Sequence, residues 1–289
     1  LAQIEELIDR GKYFTINRAR QFGKTTTLDS LFRLLSDKYF IIKISFEGLG
    51  EDDYREGRLF LAEFQKILVK RIKTISYDLA DFWKSPVLSF GDLSKKVYDF
   101  CKLVNKPVVL MIDEVDKSQN NQLFLDLLGM LRNLYLERSE SGDMSSTFHS
   151  VILAGVYDVK NLKIKLRPDE ERKYNSPWNI AAKFKVDMTF NPNEIITMLN
   201  EYEADYQTGM DKAFIANEIY KYTSGYPYLV SCICSIIDKE LEKDWSEKGI
   251  QDAIKILIKD RENTLLGDLT KNVETYPDFE KLMKDVLLH

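Results

Sequence analysis

Short apolar runs and helix-like patterns alternate along the first half of the chain. The run PVVLMID is almost unbroken by polar residues, as expected for a strand buried on both faces of a parallel sheet. Downstream of GKTTT, one helical face is predicted to carry Leu28, Leu31, Phe32, Leu34 and Leu35. Strands that alternate with helices in this way predict a doubly wound parallel sheet. The predicted strands are 13–17, 39–46, 107–113 and 150–156, and the predicted helices are 23–37, 56–75, 90–104 and 121–138.

The second half of the chain has a different pattern. Residues 157–183 are polar and predict a long connection, and FKVDMTF at 184–190 predicts a further strand. From NPNE onward only helical patterns occur, interrupted by TSGYP at 223–227. We therefore expect an α/β core over 1–190, a smaller α-helical domain over 191–258 and a tail over 259–289. The chain begins at Leu1 rather than Met, and we expect the tail to be truncated.

Composition narrows the class of protein. The chain has 289 residues, of which 44% are hydrophobic and 30% charged, as is ordinary for a globular protein. The net charge of −5 argues against a nucleic-acid footprint over the whole molecule, although a local basic patch stays open. Three cysteines fit a reducing, cytoplasmic compartment, and two histidines exclude a histidine-rich metal centre. No apolar run reaches the roughly 18–20 residues that span a bilayer, so we expect no membrane partner.

The stretch RARQFGKTTT ends like a phosphate-binding loop. Gly23, Lys24 and Thr25 match the end of the pattern G-x-x-x-x-G-K-[ST], and Arg18 stands where the first glycine would be. The tripeptide alone is a weak signal, but it follows a predicted strand and opens a predicted helix, which is the context that the motif requires. A helix N-terminus offers free N–H groups and the positive end of its dipole to an anion. The segment therefore predicts a nucleotide site.

A second motif, VVLMIDEVD, places acids after a buried strand. Asp113 can hold the Mg²⁺ that the Thr25 hydroxyl also contacts, while Lys24 reaches the β- and γ-phosphates. Glu114 can orient or deprotonate the attacking water. Two solvated acids after a core strand are the alternative interpretation. The combination with a Gly-Lys-Thr segment upstream favours the Walker A and Walker B elements of a P-loop protein.

With these motifs the chain resembles P-loop ATPases of the AAA-like and STAND type. YFTINRARQFGKTTTL looks like bacterial AAA-like ATPases in which an R-x-R-x-[FY]-G-K-T loop replaces the glycine-rich entrance, and Arg18 agrees with that subgroup. The resemblance covers most of residues 1–258. It implies a parallel-sheet P-loop NTPase core followed by an α-helical lid domain, with ATP as the nucleotide and Mg²⁺ as the cofactor.

The resemblance also implies roles for individual residues. SGYPYLV is similar to the G-x-P motif of STAND ATPases, whose proline packs against the adenine, and an ordinary interhelical turn is the alternative. We expect Glu114 and Lys24 to be catalytic, and Thr25 and Asp113 to bind the metal. The residues expected to bind the nucleotide are Asn17, Arg18, Arg20, Gln21, Phe22, Gly23, Lys24, Thr25, Thr26, Tyr226 and Pro227.

Four further segments have counterparts in these ATPases. The end of the strand SVILAGVYD is where a polar sensor is expected, and Tyr157, Asp158 and Asn161 are the residues available. Arg132 and Arg138 occupy positions of an arginine finger, with solvated surface arginines as the favoured alternative. Trp178, in SPWNIAAKF, is interpreted as a packing residue. The tail resembles the start of a winged-helix segment.

Three functions remain open. The first is an ATP-hydrolysing molecular switch of unknown output. The second is a nucleotide-binding module that hydrolyses little, which the arginine at position 18 and the poor match to a sensor motivate. The third is a nucleic-acid-associated factor that acts through a C-terminal winged helix. Besides the nucleotide, the partners left open are a second copy of the chain and a nucleic acid or protein bound through the missing C-terminal region.

Overall fold

The computed structural model describes residues 1–118, 122–143, 145–156, 177–260 and 281. Its contacts divide the chain into two units. The first unit is Leu1–Ala19 with Lys24–Val186, and the second is Arg20–Gly23 with Asp187–His289. Tyr157, Asp158 and Asn161 lie outside the described residues, and so does the predicted tail apart from its first two positions and position 281.

A four-stranded sheet forms the centre of the first unit. All of its strands are parallel, in the order β1-β4-β3-β2. Every residue of β3 and β4 is buried, which agrees with the unbroken apolar runs in the sequence. The α/β fold with a parallel sheet is therefore confirmed. The strands are β1 (Tyr13–Asn17), β2 (Phe40–Ser45), β3 (Val108–Asp113) and β4 (Ser150–Gly155).

Helices connect the strands of this sheet, as the alternating pattern predicted. The helix after β1 begins at Lys24, directly behind the candidate phosphate-binding loop. An N-terminal helix precedes β1 and was not predicted. None of the described helices is both long and apolar enough to cross a membrane. The helices of the first unit are α1 (Ala2–Asp9), α2 (Lys24–Leu35), α3 (Gly57–Lys73), α4 (Tyr77–Asp81), α5 (Phe90–Leu103) and α6 (Gln122–Ser141).

Trp178 packs inside the first unit. Its ring is fully buried and lies 5.9 Å from the ring of Tyr13. Its indole Nε1–H donates to Thr15 Oγ1 over 2.9 Å, so the polar atom of the buried ring is satisfied. The interpretation of Trp178 as a packing residue is confirmed.

The strand predicted at 184–190 is wrong. One isolated parallel bridge joins Phe14 to Ala182, where the Ala182 amide donates to the Tyr13 carbonyl over 2.8 Å, and no ladder follows. The backbone groups downstream pair elsewhere. The Val186 carbonyl accepts from an arginine side chain, and the Phe190 amide donates to the Gly225 carbonyl. Alternating polarity predicted a strand here, but a strand needs a partner for its backbone groups.

The second unit is helical, as predicted from residue 191 onward. Asn191 and Glu194 form a reciprocal capping box at the start of the first helix, and Pro192 occupies its first turn. These helices enclose a separate apolar core. They are α7 (Pro192–Tyr206), α8 (Lys212–Thr223), α9 (Pro227–Glu240) and α10 (Glu247–Lys259).

Gly225 lies in the turn between α8 and α9 and supports the second unit. Its φ is 72°, in the left-handed region that side chains disfavour. A Cβ built on it would lie 1.9 Å from the carbonyl oxygen of Phe190, and the Phe190 amide donates to the Gly225 carbonyl over 2.8 Å. This close approach of two backbones requires glycine.

We expect Gly225→Ala to lower the free energy of unfolding of the second unit by more than backbone strain alone explains. Gly209→Ala is a matched control, because Gly209 has a φ of 75° and no atom within 4 Å of its Cβ position. The control should lose about 1 kcal/mol from its left-handed conformation. Gly225→Ala should lose at least twice as much in denaturant titrations. Equal losses would show that the contact with Phe190 relaxes freely.

Candidate functional site

The segment between β1 and α2 has the backbone conformation of an anion-binding loop. Gln21 and Gly23 adopt left-handed φ values of 57° and 75°. Turns that mix right- and left-handed residues aim successive N–H groups into one concavity, and these groups bind anions. No atom lies within 4 Å of a Cβ built on Gly23, so the need for glycine comes from its φ angle and not from crowding.

Lys24 is the first residue of α2 and directs its ammonium back to the loop. The residue is buried, with 7% of its surface exposed. Two of the ammonium's donors reach the carbonyls of Arg18 and Ala19, each over 3.0 Å. These bonds hold the positive charge beside the N-terminus of α2, whose dipole also favours an anion. Lys24 thus places a positive charge beside the N-terminus of α2.

The loop and the acidic strand meet directly at the next residue. The Thr25 hydroxyl donates to Asp113 Oδ2 over 2.7 Å, although the two residues are 88 positions apart in the sequence. Asp113 is the last residue of β3 and is 3% exposed. Its other oxygen, Oδ1, accepts from the Glu114 amide over 3.0 Å. Both carboxylate oxygens are therefore held in fixed positions.

Glu114 follows β3 in a strained backbone conformation. Its φ of 55° lies in the left-handed region, which costs a residue with a side chain about 1–2 kcal/mol. Burial raises the pKa of the Glu114 carboxyl, and the negative charges of Asp113 and Asp116 raise it further, while Lys24 lowers it. Strained residues with shifted pKa values are concentrated at functional sites.

The side chain of Arg18 binds backbone carbonyls of Asn17 and Val186, outside the segment Arg20–Gly23. Its guanidinium donates to the carbonyls of Asn17 and Val186, over 2.9 and 2.6 Å, and stands 5.2 Å from the centre of the Phe184 ring. Its backbone amide donates to the Gly155 carbonyl over 3.1 Å. The arginine therefore anchors the start of the loop to the end of β4 and to the segment that follows Ala182. This use explains structurally why a long side chain stands where a P-loop usually has glycine.

Tyr226 contacts two loop residues within the second unit. Its hydroxyl donates to the Arg20 carbonyl over 2.5 Å, and its ring meets the Phe22 ring edge-on with centroids 4.8 Å apart. The sequence predicted both tyrosine and loop as nucleotide contacts, and the structure brings them together. Pro227 is the first residue of α9, where its missing N–H and fixed φ suit a helix start.

The remaining predicted residues flank these groups. Asn17 ends β1 opposite Gly155 in the sheet register. Thr25 and Thr26 are exposed in the first turn of α2. Within the described ranges, no group of three or more His, Cys, Asp or Glu side chains is arranged to hold a metal ion. Mg²⁺ in nucleotide sites commonly uses only one or two protein ligands, with phosphates and waters as the others. The hard oxygens of Thr25 and Asp113 fit that use.

The structure corrects the prediction made for Arg138, one of the two late arginines of α6. This residue is 1% exposed, so it is neither a surface arginine nor available to a neighbouring subunit. Its guanidinium donates to the carbonyls of Phe148, His149 and Gly11. It also stacks near Tyr135, whose ring centre is 4.6 Å away. Arg138 is a structural residue, and helical spacing could not reveal the three carbonyls that bind it.

Sequence reasoning missed Asp116, the last acid of VVLMIDEVD. Both of its carboxylate oxygens lie 2.7 Å from the amide of Val156, which directly follows β4. The only signal available was its position two residues after Glu114. Its partner is a backbone group 40 positions away, which side-chain patterns do not reveal.

Comparisons with known proteins agree with this class of fold and site. A family model described as "AAA-like domain" matches residues 2–287. The geometry and this match define a P-loop ATPase of the AAA-like class. The chain belongs to the AAA-like domain family, because the match covers nearly its whole length. No curated protein matches the chain.

The solved structures that match the chain include proteins from Aeropyrum pernix. The ADP form of its ORC2 protein has a TM-score of 0.50 at 13% identity, over 88% of this chain and 65% of that one. The ORC1 protein in complex with DNA has a TM-score of 0.49 at 11% identity, over 96% and 67%. The ADPNP–ADP complexes of ORC2 give 0.48 at 11%, over 87% and 64%. The chain thus spans about two thirds of these proteins, and at such identity the likeness of the ORC2 ADP form shows the fold alone.

The burial of Arg138 generates a stability prediction. Arg138→Ala removes the donors of three carbonyls, and we expect the free energy of unfolding to fall by about 3 kcal/mol. Arg33→Ala is the control, since Arg33 is exposed near the end of α2 and should cost no more than ~0.5 kcal/mol. Denaturant titration of both variants measures the difference. Wild-type stability in Arg138→Ala would contradict the structural role.

Proposed function

We propose that this chain is a Mg²⁺-dependent ATPase that acts as a molecular switch of the STAND type. The observation that carries the proposal is the hydrogen bond between Thr25 Oγ1 and Asp113 Oδ2. It joins a helix-capping phosphate loop to an acid at the end of a buried strand. Those two elements together are what nucleoside triphosphate hydrolysis requires of a P-loop protein.

The loop binds the phosphates of ATP in this proposal. Gln21 and Gly23 turn the backbone, and the N-terminus of α2 contributes its N–H groups and dipole. Lys24 supplies the positive charge for the β- and γ-phosphates. Its bonds to the Arg18 and Ala19 carbonyls keep the ammonium in place, so little reorganisation is needed when the charge of the phosphates changes.

Thr25 and Asp113 hold Mg²⁺. The hydroxyl and carboxylate oxygens lie 2.7 Å apart, and both are the hard ligands that this ion prefers. When bound, Mg²⁺ neutralises charge that develops on the phosphate oxygens. The Glu114 amide, by its bond to Asp113 Oδ1, fixes the rotation of this carboxylate.

Glu114 orients the attacking water and accepts its proton. The raised pKa supports this role, because a carboxylate whose pKa lies nearer to neutral pH is a better base than an ordinary glutamate. Its strained φ supports it as well, since a left-handed residue is retained where its direction matters. No other described side chain of the motif combines these two properties.

Tyr226 and Pro227 are the proposed adenine contacts. The support comes from within the second unit, where Tyr226 binds Arg20 and packs on Phe22 of the loop. Gly225 makes this arrangement possible by the tight turn that precedes α9.

The reducing environment suggested by three free cysteines supports a cytoplasmic site of action. A homo-oligomer and a partner bound by C-terminal residues belong to the same proposal.

The first test concerns binding. Lys24→Ala should weaken ATP binding at least tenfold, or about 1.4 kcal/mol, because a buried positive charge beside the phosphates is lost. Lys70→Ala, an exposed lysine at the end of α3, is the control and should bind like wild type. Calorimetry with Mg·ATP measures both. Unchanged affinity in Lys24→Ala would rule out the loop as the phosphate site.

The second test concerns turnover. Glu114→Gln keeps the size of the side chain and removes the basic oxygen, so we expect ATP affinity to persist while the rate falls by ~10²–10⁴-fold. Glu137→Gln, exposed on α6, serves as the control. Release of inorganic phosphate is the measurement. A wild-type protein that binds ATP but never hydrolyses it would favour the nucleotide-binding module instead.

A further inference from the structure

One peptide group links the phosphate loop to the acidic segment. It joins Gly155, the last residue of β4, to Val156. Its carbonyl, on Gly155, accepts from the Arg18 amide over 3.1 Å. Its N–H, on Val156, points to Asp116, whose two carboxylate oxygens are each 2.7 Å away. Because a peptide group is planar and stiff, a shift of either neighbour is transmitted to the other.

The packing around this peptide leaves no space for a side chain on Gly155. A Cβ built on Gly155 would lie 2.6 Å from Asp116 Oδ1 and 2.9 Å from Val115 Cγ2. Val115 is fully buried, so it cannot move aside. Only a glycine at the end of β4 lets the acidic segment approach so closely. The sheet register fixes the other side, because Asn17 is paired with Gly155.

The bond from Val156 to Asp116 is charge-assisted and shared by two oxygens. Hydrogen bonds to an ionised acceptor are shorter and about twice as strong as neutral ones. Asp116 is two residues from Glu114, with Val115 anchored in the core between them. The backbone of Glu114 would not adopt its positive φ without support, because residues with a side chain disfavour this region. The segment's position is therefore set by its anchors.

We propose that Asp116 is a positioning residue for the hydrolysis step, and that it acts through the Gly155–Val156 peptide group. Asp116 binds the N–H of this peptide, and the carbonyl of the same peptide binds Arg18, the first residue of the loop. Asp116 thereby keeps Glu114 in a fixed position relative to the start of the loop. Asp116 contacts neither nucleotide nor metal in this role. The inference rests on the proposed ATPase function and adds a residue to it.

A purely structural role makes a different prediction. If Asp116 only stabilises the short 3-10 turn at Val115–Ser118, its loss lowers stability and leaves the chemistry of the folded molecules unchanged. If Asp116 positions Glu114, folded molecules bind ATP normally and turn over slowly. Measuring kcat and the Kd for ATP separately distinguishes these roles. A misplaced catalytic group lowers kcat and leaves ATP binding unchanged, because it affects the transition state selectively.

The experiment compares Asp116→Ala, Asp116→Asn and the control Asp126→Ala. Asp126 is an exposed residue on α6 that accepts from Gln122. We expect Asp116→Ala to bind ATP within about threefold of wild type while kcat falls by ~10²-fold, the usual cost of a displaced group. Asp116→Asn retains an oxygen for the Val156 N–H and should recover most of the rate. The control should behave as wild type.

Gly155→Ala tests the same peptide from its other side. Its methyl group would displace Asp116, so kcat should fall with affinity retained, and the double variant with Asp116→Ala should lose little more. Additive losses in the double variant would contradict the shared path. If Asp116→Ala does not fold, Asp116→Glu replaces it, because one extra methylene shifts the segment while charge and acceptor remain.

The outcomes separate this inference from the function on which it rests. An active wild type with full turnover in Asp116→Ala, or in Asp116→Glu as its substitute, overturns the inference alone. Equal losses of kcat in the Asn and Ala variants overturn the role of the Val156 hydrogen bond. A wild type without any ATP turnover overturns the proposed function, and the positioning role with it.

Discussion

The parallel order of the sheet is the constraint on which the candidate site depends. Because all four strands run the same way and β4 lies between β1 and β3, the carboxyl ends of these three strands meet at one edge. The loop after Asn17, the residue Val156 that follows β4 and the acids that begin at Asp113 all start from that edge. Ligand sites of open parallel sheets form at such edges.

Backbone strain occurs at the same edge, at Glu114, and at five other non-glycine residues of the described part of the chain. Gln21 and Glu114 are left-handed without being glycines, and each lies directly beside a group proposed to contact phosphate, metal or water. Each costs on the order of 1–2 kcal/mol, so the surrounding bonds must hold it in place. For Glu114 the anchors are the Asp113 carboxylate, the buried Val115 and the grip of Asp116 on Val156. The fixed position of the Glu114 backbone is thus accompanied by a local loss of stability.

Arginines illustrate how burial changes a residue's role. Arg18 and Arg138 both donate to backbone carbonyls rather than to acids, and both lie over aromatic rings. Arg138 closes the far side of the core by binding carbonyls from the chain before β1 and before β4. Arg18 ties the loop to the segment that ends the first unit. A guanidinium offers five donors in a fixed plane, which suits this binding of several carbonyls at once.

The sequence by itself determined the strands of the sheet and most of the helices, and it predicted the chemistry of the motifs. Hydrophobic periodicity located all four strands of the sheet to within about a residue, because a buried parallel strand must be apolar on both faces. The Gly-Lys-Thr and Asp-Glu segments predicted a phosphate loop and acids for Mg²⁺, because these ligands require particular functional groups, and the structure brings Thr25 and Asp113 into contact. Only the tertiary structure decided which backbone groups find partners. It removed the strand at 184–190, where no ladder forms, buried Arg138, and joined Asp116 to Val156. Those outcomes depend on carbonyls and amides, which every residue carries alike, so their pairing leaves no mark in a pattern of side chains.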